Sequence, residues 1–208
     1  MGKILVIGAG GQLGTELTKV LADQYGNESV IATDFQESAG SKFSYCAFHT
    51  LNVMNKAELE IIVKKEGVSQ IYHLAAILSA AGEKNPFQAW DLNMGGLLNV
   101  LEVARAYKIE KVFWPSSIAV FGPSSEKECT PQNAFKDPNT IYGISKLSGE
   151  HWCEYYFNKY GVDVRSVRYP GLIGYKSLPG GGTTDYAVDI YHKAMNGEKF
   201  SCFLKEHT

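Results

Sequence analysis

The first 25 residues constrain the fold more than any other part of the chain. An apolar run, Lys3–Ile7, leads into glycines at positions 8, 11 and 14 and then into an amphipathic stretch, 15–25. Branched apolar residues in a short run are typical of a strand buried on both faces. The glycine spacing allows a tight turn, close approach of the backbone to a pyrophosphate and close packing of a helix on the strand. We therefore predict a strand–turn–helix unit whose helix N-terminus faces the phosphates of a dinucleotide, or, as the alternative, the same unit without a ligand.

Asp34 indicates which dinucleotide would bind. It ends a second predicted strand, 29–33, in the region where an acidic residue is expected after the glycines. A carboxylate there accepts hydrogen bonds from the ribose hydroxyls of NAD and repels the 2′-phosphate of NADP. No arginine follows within the next several residues to offset that repulsion. We expect NAD as the cofactor; the alternative is that Asp34 is a solvated turn residue.

Strands and helices alternate along the rest of the chain. The patterns predict further strands at 51–53, 70–74, 111–114 and 163–168, helices at 55–66, 86–107, 140–160 and 185–195, and loops at 35–50 and 75–85. Such alternation is typical of an α/β fold with a doubly wound parallel sheet (Rossmann type) and right-handed crossovers.

The C-terminal part is expected to begin a second, smaller unit. We predict an NAD-binding domain at 1–170 that carries the catalytic residues, and the start of a substrate-side subdomain at 171–208. Residues 198–204 are expected to form the first strand of that subdomain, which we expect to be incomplete at Thr208. A chain with an incomplete subdomain is expected to bind NAD but to turn substrate over poorly, because substrate positioning contributes strongly to catalysis.

Tyr142 and Lys146 are spaced to act together. They lie four residues apart in a predicted helix, so both project from the same side. A phenol is a poor proton acceptor at neutral pH, and a nearby cation lowers its pKa and makes it a better general base. Ser117 follows a predicted strand, at the sheet edge where ligands bind in such folds, and its hydroxyl can hold a substrate oxygen. We predict that these three residues are catalytic, although each taken singly is also an ordinary helix-surface or turn residue.

Composition narrows the class of protein. The chain has 208 residues, 45% hydrophobic and 20% charged, which is ordinary for a globular protein, and its net charge of −2 gives no reason to expect nucleic acid or an anionic membrane as partner. No apolar run approaches the length of a membrane span, and the first strand begins too early for a signal peptide. Four scattered cysteines without a C-x-x-C motif indicate reduced thiols in the cytoplasm, and five histidines without ligand spacing argue against a metal site.

In combination these motifs resemble the extended short-chain dehydrogenase/reductase family over nearly the whole chain. The matching pieces are Gly8-x-x-Gly11-x-x-Gly14, Asp34, His73-Leu74-Ala75-Ala76, Asn93, Ser116-Ser117 and Tyr142-x-x-x-Lys146. The resemblance implies that Asn93 braces the site and that Lys146 also bonds the nicotinamide ribose. We expect His73 to be a packed strand residue, with an acid as the alternative. The cofactor-binding residues that the resemblance implies are Gly8, Gly11, Gln12, Leu13, Gly14, Asp34, Asn52, Val53, Leu74, Ala75, Ala76, Asn93, Ser116, Tyr142, Lys146 and Tyr169. Asn52 departs from the aspartate common at the adenine-facing position, although its amide oxygen can still accept a hydrogen bond.

A narrower resemblance is to the short-chain type of L-threonine 3-dehydrogenases. It rests on three stretches, 76–86, 113–122 and 168–187. It implies NAD-dependent oxidation of the L-threonine hydroxyl to L-2-amino-3-oxobutyrate, on the way to glycine. The substrate-binding residues that it implies are Ser79, Ser117, Tyr142, Gly180, Thr183, Thr184 and Asp185. Helix-start N–H groups and hydroxyls suit a carboxylate, and Asp185 suits an ammonium group; the alternative is a glycine-rich loop before a capped helix.

Two other functions remain open. One is an NAD-dependent sugar-nucleotide epimerase or dehydratase of the same superfamily, which needs a roomier substrate side; the other is a non-catalytic NAD-sensing module. The two long predicted helices carry apolar residues beyond what one sheet face can cover, for example Leu97, Leu101, Trp152 and Tyr156. Related dehydrogenases pair such helices across a dimer contact, so a homodimer is expected.

Overall fold

The strands form a parallel sheet in the order typical of dinucleotide-binding proteins. The computed structural model describes residues 2–174, 184–202 and 204. The strands are β1 Lys3–Ile7, β2 Val30–Asp34, β3 Ala47–Thr50, β4 Val68–His73, β5 Lys111–Phe113, β6 Ser116–Ser117, β7 Val164–Arg165 and β8 Arg168–Tyr169. Six of them form one parallel sheet in the order β3-β2-β1-β4-β5-β7, and β6 pairs with β8 in a separate two-stranded sheet. The main order is that of the doubly wound Rossmann fold, so the predicted fold class is confirmed.

Helices connect these strands. They are α1 Gln12–Tyr25, α2 Lys56–Glu66, α3 Ser79–Lys84, α4 Pro86–Trp90, α5 Gly96–Tyr107, α6 Ile141–Tyr160 and α7 Tyr186–Met195. A π-helical turn, Asp91–Gly95, joins α4 to α5. The bounds of α6 follow from its ends: the Thr140 hydroxyl accepts a hydrogen bond from the Gly143 N–H at 3.1 Å, and Gly161 closes the helix with a φ of 71°.

The sheet is covered on both faces, which explains the continuous apolar sequence of β1. Leu5 and Ile7 point into a core shared with α2, α5 and α6, and neither is more than 1% exposed. Ile4 and Val6 point the other way, into a smaller core with Leu21 of α1. A strand buried on both faces needs apolar residues at every position, not at alternate positions.

Four sequence-based boundaries are wrong. The third strand is β3, which lies inside the segment predicted as a loop. Residues 51–53 form no strand, because the chain turns at Asn52, whose side-chain oxygen accepts a hydrogen bond from the Met54 N–H at 3.0 Å. The predicted loop 75–85 contains α3. The predicted strand 163–168 is split into β7 in the main sheet and β8 in the small sheet. Residues 198–202 and 204 are not in a strand, because Glu198 is tied back to the end of α7 through Lys193.

Three observations concern membranes, metals and thiols. Within the described part of the chain, no helix is long and apolar enough to cross a membrane. The same residues contain no group of three or more His, Cys, Asp or Glu side chains that could hold a metal ion. Cys46, Cys129, Cys153 and Cys202 are free thiols.

Candidate active site

In the glycine loop after β1, a side chain would fit at one glycine, Gly11, but not at Gly8 or Gly14. Gly8 has a φ of +81°, and a Cβ there would lie 2.7 Å from the Ala75 backbone nitrogen. A Cβ on Gly14 would lie 2.3 Å from the Gly8 carbonyl oxygen, so this position holds α1 close to β1. In contrast, a Cβ on Gly11 would meet protein atoms only at an ordinary 3.5 Å. Gly11 is exposed at the N-terminus of α1, where free N–H groups favour an anion, so the loop fits a dinucleotide pyrophosphate.

The Asp34 carboxylate is held in place by backbone donors. It accepts from the Gly10 N–H at 2.9 Å and from the Gln36 N–H at 3.0 Å, and the residue is only 8% exposed. The Lys42 ammonium donates to the Gly10 carbonyl at 3.0 Å, which brings a cation to the same loop. Sequence reasoning missed both Gly10 and Lys42. The Gly10 contact could have been inferred from the glycine loop. Lys42 is brought to this loop by a 3₁₀ turn, Glu37–Lys42, and the polar composition of that segment predicted only a loop.

This arrangement leads to a prediction about cofactor choice. In Asp34→Asn, the preference for NAD over NADP in kcat/KM is expected to fall by at least about tenfold, because like charges side by side cost several kcal/mol. Lys42 then becomes an available cation, and adding Lys42→Met is expected to lower NADP use again. The measurement is steady-state kinetics with both cofactors, with Asp23→Asn on the exposed face of α1 as control. An unchanged ratio in Asp34→Asn would refute the role given to this carboxylate.

The other predicted cofactor residues fall into two groups. One group lies in the glycine loop and the start of α1 or directly after β4: Gln12, Leu13, Leu74, Ala75 and Ala76. The remaining residues differ. Asn52 is exposed, and its amide oxygen accepts a hydrogen bond from the Met54 N–H. Val53 is 4% exposed and packs against Gly96, and its carbonyl accepts a hydrogen bond from the Asn99 side chain at 3.0 Å. The Val53 side chain therefore belongs to the core rather than to a ligand surface.

Ser117, Tyr142 and Lys146 come together where β6 meets α6. The Ser117 side chain lies beside that of Tyr142, and its hydroxyl oxygen accepts a hydrogen bond from the Ala119 N–H at 3.1 Å. The Lys146 Nζ lies 5.5 Å from the centre of the Tyr142 ring and 4.4 Å from the centre of the Trp114 ring, and donates to the Pro115 carbonyl at 2.6 Å. The one-turn spacing thus brings the Tyr142 phenol and the Lys146 amine to one side of α6, and β6 brings the Ser117 hydroxyl to the same side.

The protonation of this group differs from the sequence prediction. Burial raises the pKa of Tyr142, and the adjacent Ser117 side chain offsets part of that rise. Burial also lowers the pKa of Lys146 to about 7, so the amine carries only part of its charge at neutral pH. The expected lowering of the Tyr142 pKa by Lys146 is not found in this structure, because burial sets the direction of that pKa and the Lys146 amine is bonded to the Pro115 carbonyl.

Asn93 braces the site from the π-helical turn. Its side-chain oxygen accepts from the Ile77 N–H at 2.8 Å, and its amide nitrogen donates to the Ile77 carbonyl at 3.1 Å. The same nitrogen reaches the Ser145 hydroxyl at 3.4 Å, and that hydroxyl donates to the Tyr142 carbonyl at 2.7 Å. The π-turn places Asn93 so that it fixes both the loop after β4 and the first turn of α6; such turns are frequent at functional sites.

His73, at the end of β4, is a buried polar residue without a protein partner. It is 1% exposed, and among the described residues neither ring nitrogen has a hydrogen-bond partner. Burial, with a smaller effect from Lys146, lowers the pKa of His73 to about 3. The side chain is therefore a neutral, packed imidazole, which agrees with the expectation of a packed strand residue.

The His73 pKa predicts how stability depends on pH. Between the ordinary pKa of 6.5 and the folded pKa of about 3, the unfolded chain binds a proton at His73 that the folded chain does not. His73 therefore makes the free energy of unfolding fall as pH drops through this range, by up to about 1.4 kcal/mol per pH unit. In His73→Leu this slope is expected to be smaller, whereas the exposed control His151→Gln keeps it. Urea unfolding at several pH values measures the slope, and equal slopes in His73→Leu and wild type would contradict the assignment.

The predicted substrate residues are only partly described. Ser79 begins α3, which packs beside the start of α6 and whose Glu83 accepts from the Ile141 N–H at 2.9 Å. Thr184 lies against Gly171, where a Cβ would come within 2.4 Å of its methyl group, and Asp185 directly precedes α7. Gly180 and Thr183 lie outside the described residues.

Two further predicted cofactor residues, Ser116 and Tyr169, lie close to Ser117. Ser116 is buried beside Ser117, and Tyr169 pairs with Ser117 across the small sheet. The Tyr169 ring meets Phe113 edge-on, with 6.5 Å between ring centres. Farther along, a Cβ on Gly174 would lie 2.7 Å from the Gln12 side chain, so the segment after β8 returns to the glycine loop.

Comparison with known proteins agrees with this geometry. The model of the NAD dependent epimerase/dehydratase family matches residues 4–203. A protein of Staphylococcus saprophyticus named as an uncharacterized epimerase/dehydratase is 51% identical over 100% of this chain and 65% of its own length. The solved structure of a GalE-like L-threonine dehydrogenase from Cupriavidus necator, in its holo form, is 54% identical with a TM-score of 0.92 and covers 98% of this chain and 66% of its own. A monomeric L-threonine 3-dehydrogenase from a metagenome, in its apo form, is 50% identical with a TM-score of 0.91, covering 97% of this chain and 64% of its own.

The chain spans about two thirds of the length of these proteins, 65% of the Staphylococcus relative and 66% of the Cupriavidus structure. The similarity nevertheless extends over the whole of this chain, including the glycine loop and the Tyr142–Lys146 pair. The resemblance predicted from the motifs is confirmed, and so is NAD as the cofactor of the family. The chain belongs to the NAD dependent epimerase/dehydratase family, which is the extended short-chain dehydrogenase/reductase family that its motifs indicated.

Proposed function

We propose that the protein oxidises the side-chain hydroxyl of L-threonine with NAD, giving L-2-amino-3-oxobutyrate. The observation that carries the proposal is the cluster of Ser117, Tyr142 and Lys146 beside a dinucleotide loop. Similarity to solved L-threonine dehydrogenases at 50–54% identity supports the choice of substrate. NAD, when bound, accepts the hydride from the carbon that bears the hydroxyl.

The proposed roles follow from the chemistry of each side chain. Ser117 holds the substrate oxygen, and Tyr142 removes its proton as the carbonyl forms. Lys146, held against Pro115 and Trp114, stabilises the phenolate in its ammonium form. Asn93 keeps the first turn of α6 in place through Ser145, so that these groups need not reorganise during the reaction.

We assign cofactor and substrate binding to the two sides of this cluster. The glycine loop and Asp34 would hold the dinucleotide, together with the loop after β4, Ser116 and Tyr169. Ser79, Thr184 and Asp185 would bind the amino acid, with hydroxyl and N–H donors for its carboxylate and a carboxylate for its ammonium group. The proposed domain division, 1–170 and 171–208, agrees with α7, none of whose residues is buried.

A second candidate is an NAD-dependent sugar-nucleotide epimerase or dehydratase. The family description and the name of the Staphylococcus relative favour it. Such an enzyme shares the tyrosine–lysine pair but must also hold a second pyrophosphate, which needs cationic groups on the substrate side. A non-catalytic NAD-sensing role is less well supported, because a sensor does not need the intact set of proton-transfer residues.

A substrate panel separates these functions. The protein is mixed with NAD and either L-threonine or a UDP-hexose, and absorbance of NADH and the sugar products are followed. Threonine-dependent NADH formation without sugar conversion supports the proposal. Sugar conversion without NADH from threonine would favour the epimerase function, and neither reaction would favour the sensing role.

We also propose a homodimer through the outer face of α6. Three of the residues expected at this contact pack within the chain instead, because Leu97 and Leu101 are fully buried and Tyr156 is 6% exposed. Trp152 is 39% exposed and lines a shallow depression with Ser148, His151 and Tyr155, which supports an apolar contact on this face. One similar structure is described as monomeric, so the state of this protein needs its own measurement.

Sedimentation at micromolar concentration tests the dimer. The expected mass is that of two chains, and Trp152→Glu is expected to shift it toward one chain, because a buried charge in an apolar contact is strongly unfavourable. Val20→Glu, on the exposed face of α1, serves as control. A mass of one chain for the wild type would contradict the proposal.

We further propose a reducing compartment, such as the cytoplasm, as the location. The support is that the four cysteines are free thiols, two of them exposed.

A further inference from the structure

Behind the catalytic cluster lies an ion pair that the proposed reaction does not use. The Arg168 guanidinium donates two hydrogen bonds to the Glu150 carboxylate, each of 2.8 Å, in a bidentate geometry. The side chains are only 15% and 16% exposed. A third donor of Arg168 reaches the Gln132 carbonyl at 2.8 Å, and the guanidinium lies 5.2 Å from the centre of the Phe121 ring.

The pair connects three elements that carry site residues. Glu150 lies one turn after Lys146 on α6, and it also accepts a hydrogen bond from the Ser116 hydroxyl at 2.6 Å. Ser116 is the strand partner of Arg168, and Ser117 is the strand partner of Tyr169. Glu150 and Arg168 therefore join the helix that presents the phenol to the strand that presents the serine hydroxyl.

The pairing of β6 with β8 is too short to fix the position of Ser117 relative to α6 by itself. β6 and β8 have two residues each, and within the described part of the chain they pair only with one another, whereas strands that are stable in water normally belong to larger sheets. A cavity of about 270 Å³ borders Glu150 and Arg168, so little packing opposes movement of either side chain once the pair is broken. The bidentate link therefore adds to the hydrogen bonds from Lys146 to the Pro115 carbonyl and from Ser116 to Glu150, and it is the one that joins α6 to β8.

The charge of the pair is stable at neutral pH. Burial alone raises the pKa of Glu150, but hydrogen bonds from Arg168 and Ser116 outweigh this effect and hold that pKa below its ordinary value. The carboxylate thus stays ionised and bonded to both partners. A planar guanidinium fixes the orientation of a carboxylate as well as its distance, which a single ammonium contact does not.

We propose that Glu150 and Arg168 are positioning residues, which set the Ser117 hydroxyl against the Tyr142 phenol without touching the substrate. The inference rests on the proposed function, because it assigns to Ser117 and Tyr142 a joint role in proton removal. A residue that only stabilises the fold would lower the amount of folded protein, whereas a positioning residue lowers turnover in protein that remains folded.

The first test is a double-mutant cycle in the full-length protein with NAD and L-threonine. Arg168→Met is expected to lower kcat by about 10²-fold, the cost of a misplacement of about 1 Å, while the Kd for NAD changes little. In a Ser117→Ala background the same change is expected to have little further effect, because its target is already gone. Multiplicative effects of the two changes would overturn the proposal. Arg165→Met is the matched control, since that arginine pairs with Asp163 on the surface, and its kcat should equal that of the wild type.

A second pair of variants separates positioning from charge burial. Arg168→Met alone leaves the Glu150 carboxylate without its partner, which destabilises the fold. Adding Glu150→Gln removes that charge, so the double variant should regain thermal stability but not kcat. Arg168→Lys, which keeps the charge and loses the bidentate geometry, should regain only part of kcat. Full recovery of kcat in the double variant would show that the pair has a structural role only.

A third measurement does not depend on the substrate. Crystal structures of the wild type and the double variant are compared, and the Ser117 hydroxyl is expected to lie farther from the Tyr142 hydroxyl in the variant. If the wild type forms no NADH from threonine, the proposed function fails, and these structures still decide the inference. An unchanged distance between the two hydroxyls would overturn it.

Discussion

Replacement of Tyr142 by phenylalanine is expected to lower kcat for threonine oxidation by about 10²–10⁴-fold, the usual effect of losing a general base. The change removes one oxygen atom and keeps the ring that packs near Lys146, so the free energy of unfolding should change little. The Kd for NAD should remain close to that of the wild type, since the glycine loop and Asp34 are unaffected. Steady-state kinetics give kcat, and a cofactor titration gives the Kd for NAD.

The control for this variant is Tyr107→Phe. Tyr107 lies at the end of α5 and is 39% exposed, so the loss of its hydroxyl should leave kcat unchanged. A Tyr142→Phe enzyme with full turnover would show that another group removes the proton. Equal loss in both variants would indicate a general effect of removing a tyrosine hydroxyl.

Alanine at two glycines of the loop is expected to give opposite outcomes. Gly14→Ala places a Cβ 2.3 Å from the Gly8 carbonyl, so α1 must move away from β1, and the free energy of unfolding should fall by about 1–3 kcal/mol or more. Gly11→Ala meets protein atoms only at 3.5 Å, so the fold should tolerate it at the modest cost of a poorer helix cap. Its methyl group, however, points to the space reserved for the pyrophosphate, and the Kd for NAD should rise by at least about tenfold.

Thermal unfolding and a cofactor titration on both variants distinguish packing from binding. The expected pattern is a destabilised Gly14→Ala and a stable Gly11→Ala with weak NAD binding. Normal NAD affinity in Gly11→Ala would mean that the dinucleotide does not approach this part of the backbone.

The sequence was most informative where a local pattern coincides with a local structure. The run Lys3–Ile7, the glycines and the tyrosine–lysine spacing each reflect geometry within one or two turns of chain, and the structure agrees with them. The edge strand Ala47–Thr50 was missed because it is half exposed and lacks an apolar run. Its neighbour Leu51 is buried although it lies just after the strand, so the apolar residues indicated a strand a few residues too late.

The parts of the site that were missed depend on distant contacts. Lys42 reaches the Gly10 carbonyl, 32 residues earlier in the chain, and Arg168 of β8 reaches Glu150 of α6. Neither pair has a spacing that a single sequence reveals. The pKa of Tyr142 was predicted in the wrong direction for the same reason: the spacing gave the distance to Lys146, but the extent of burial comes from the tertiary structure.

Transfer of deuterium from L-threonine labelled at C3 to NAD tests the central claim most directly. The account predicts that mass spectrometry of the reduced cofactor shows one deuterium per molecule formed and that 2-amino-3-oxobutyrate appears in equal amount. The Tyr142→Phe enzyme should form the same labelled product at a greatly reduced rate. Absence of labelled reduced cofactor with the wild type, under conditions in which NAD binds, would contradict the proposed function.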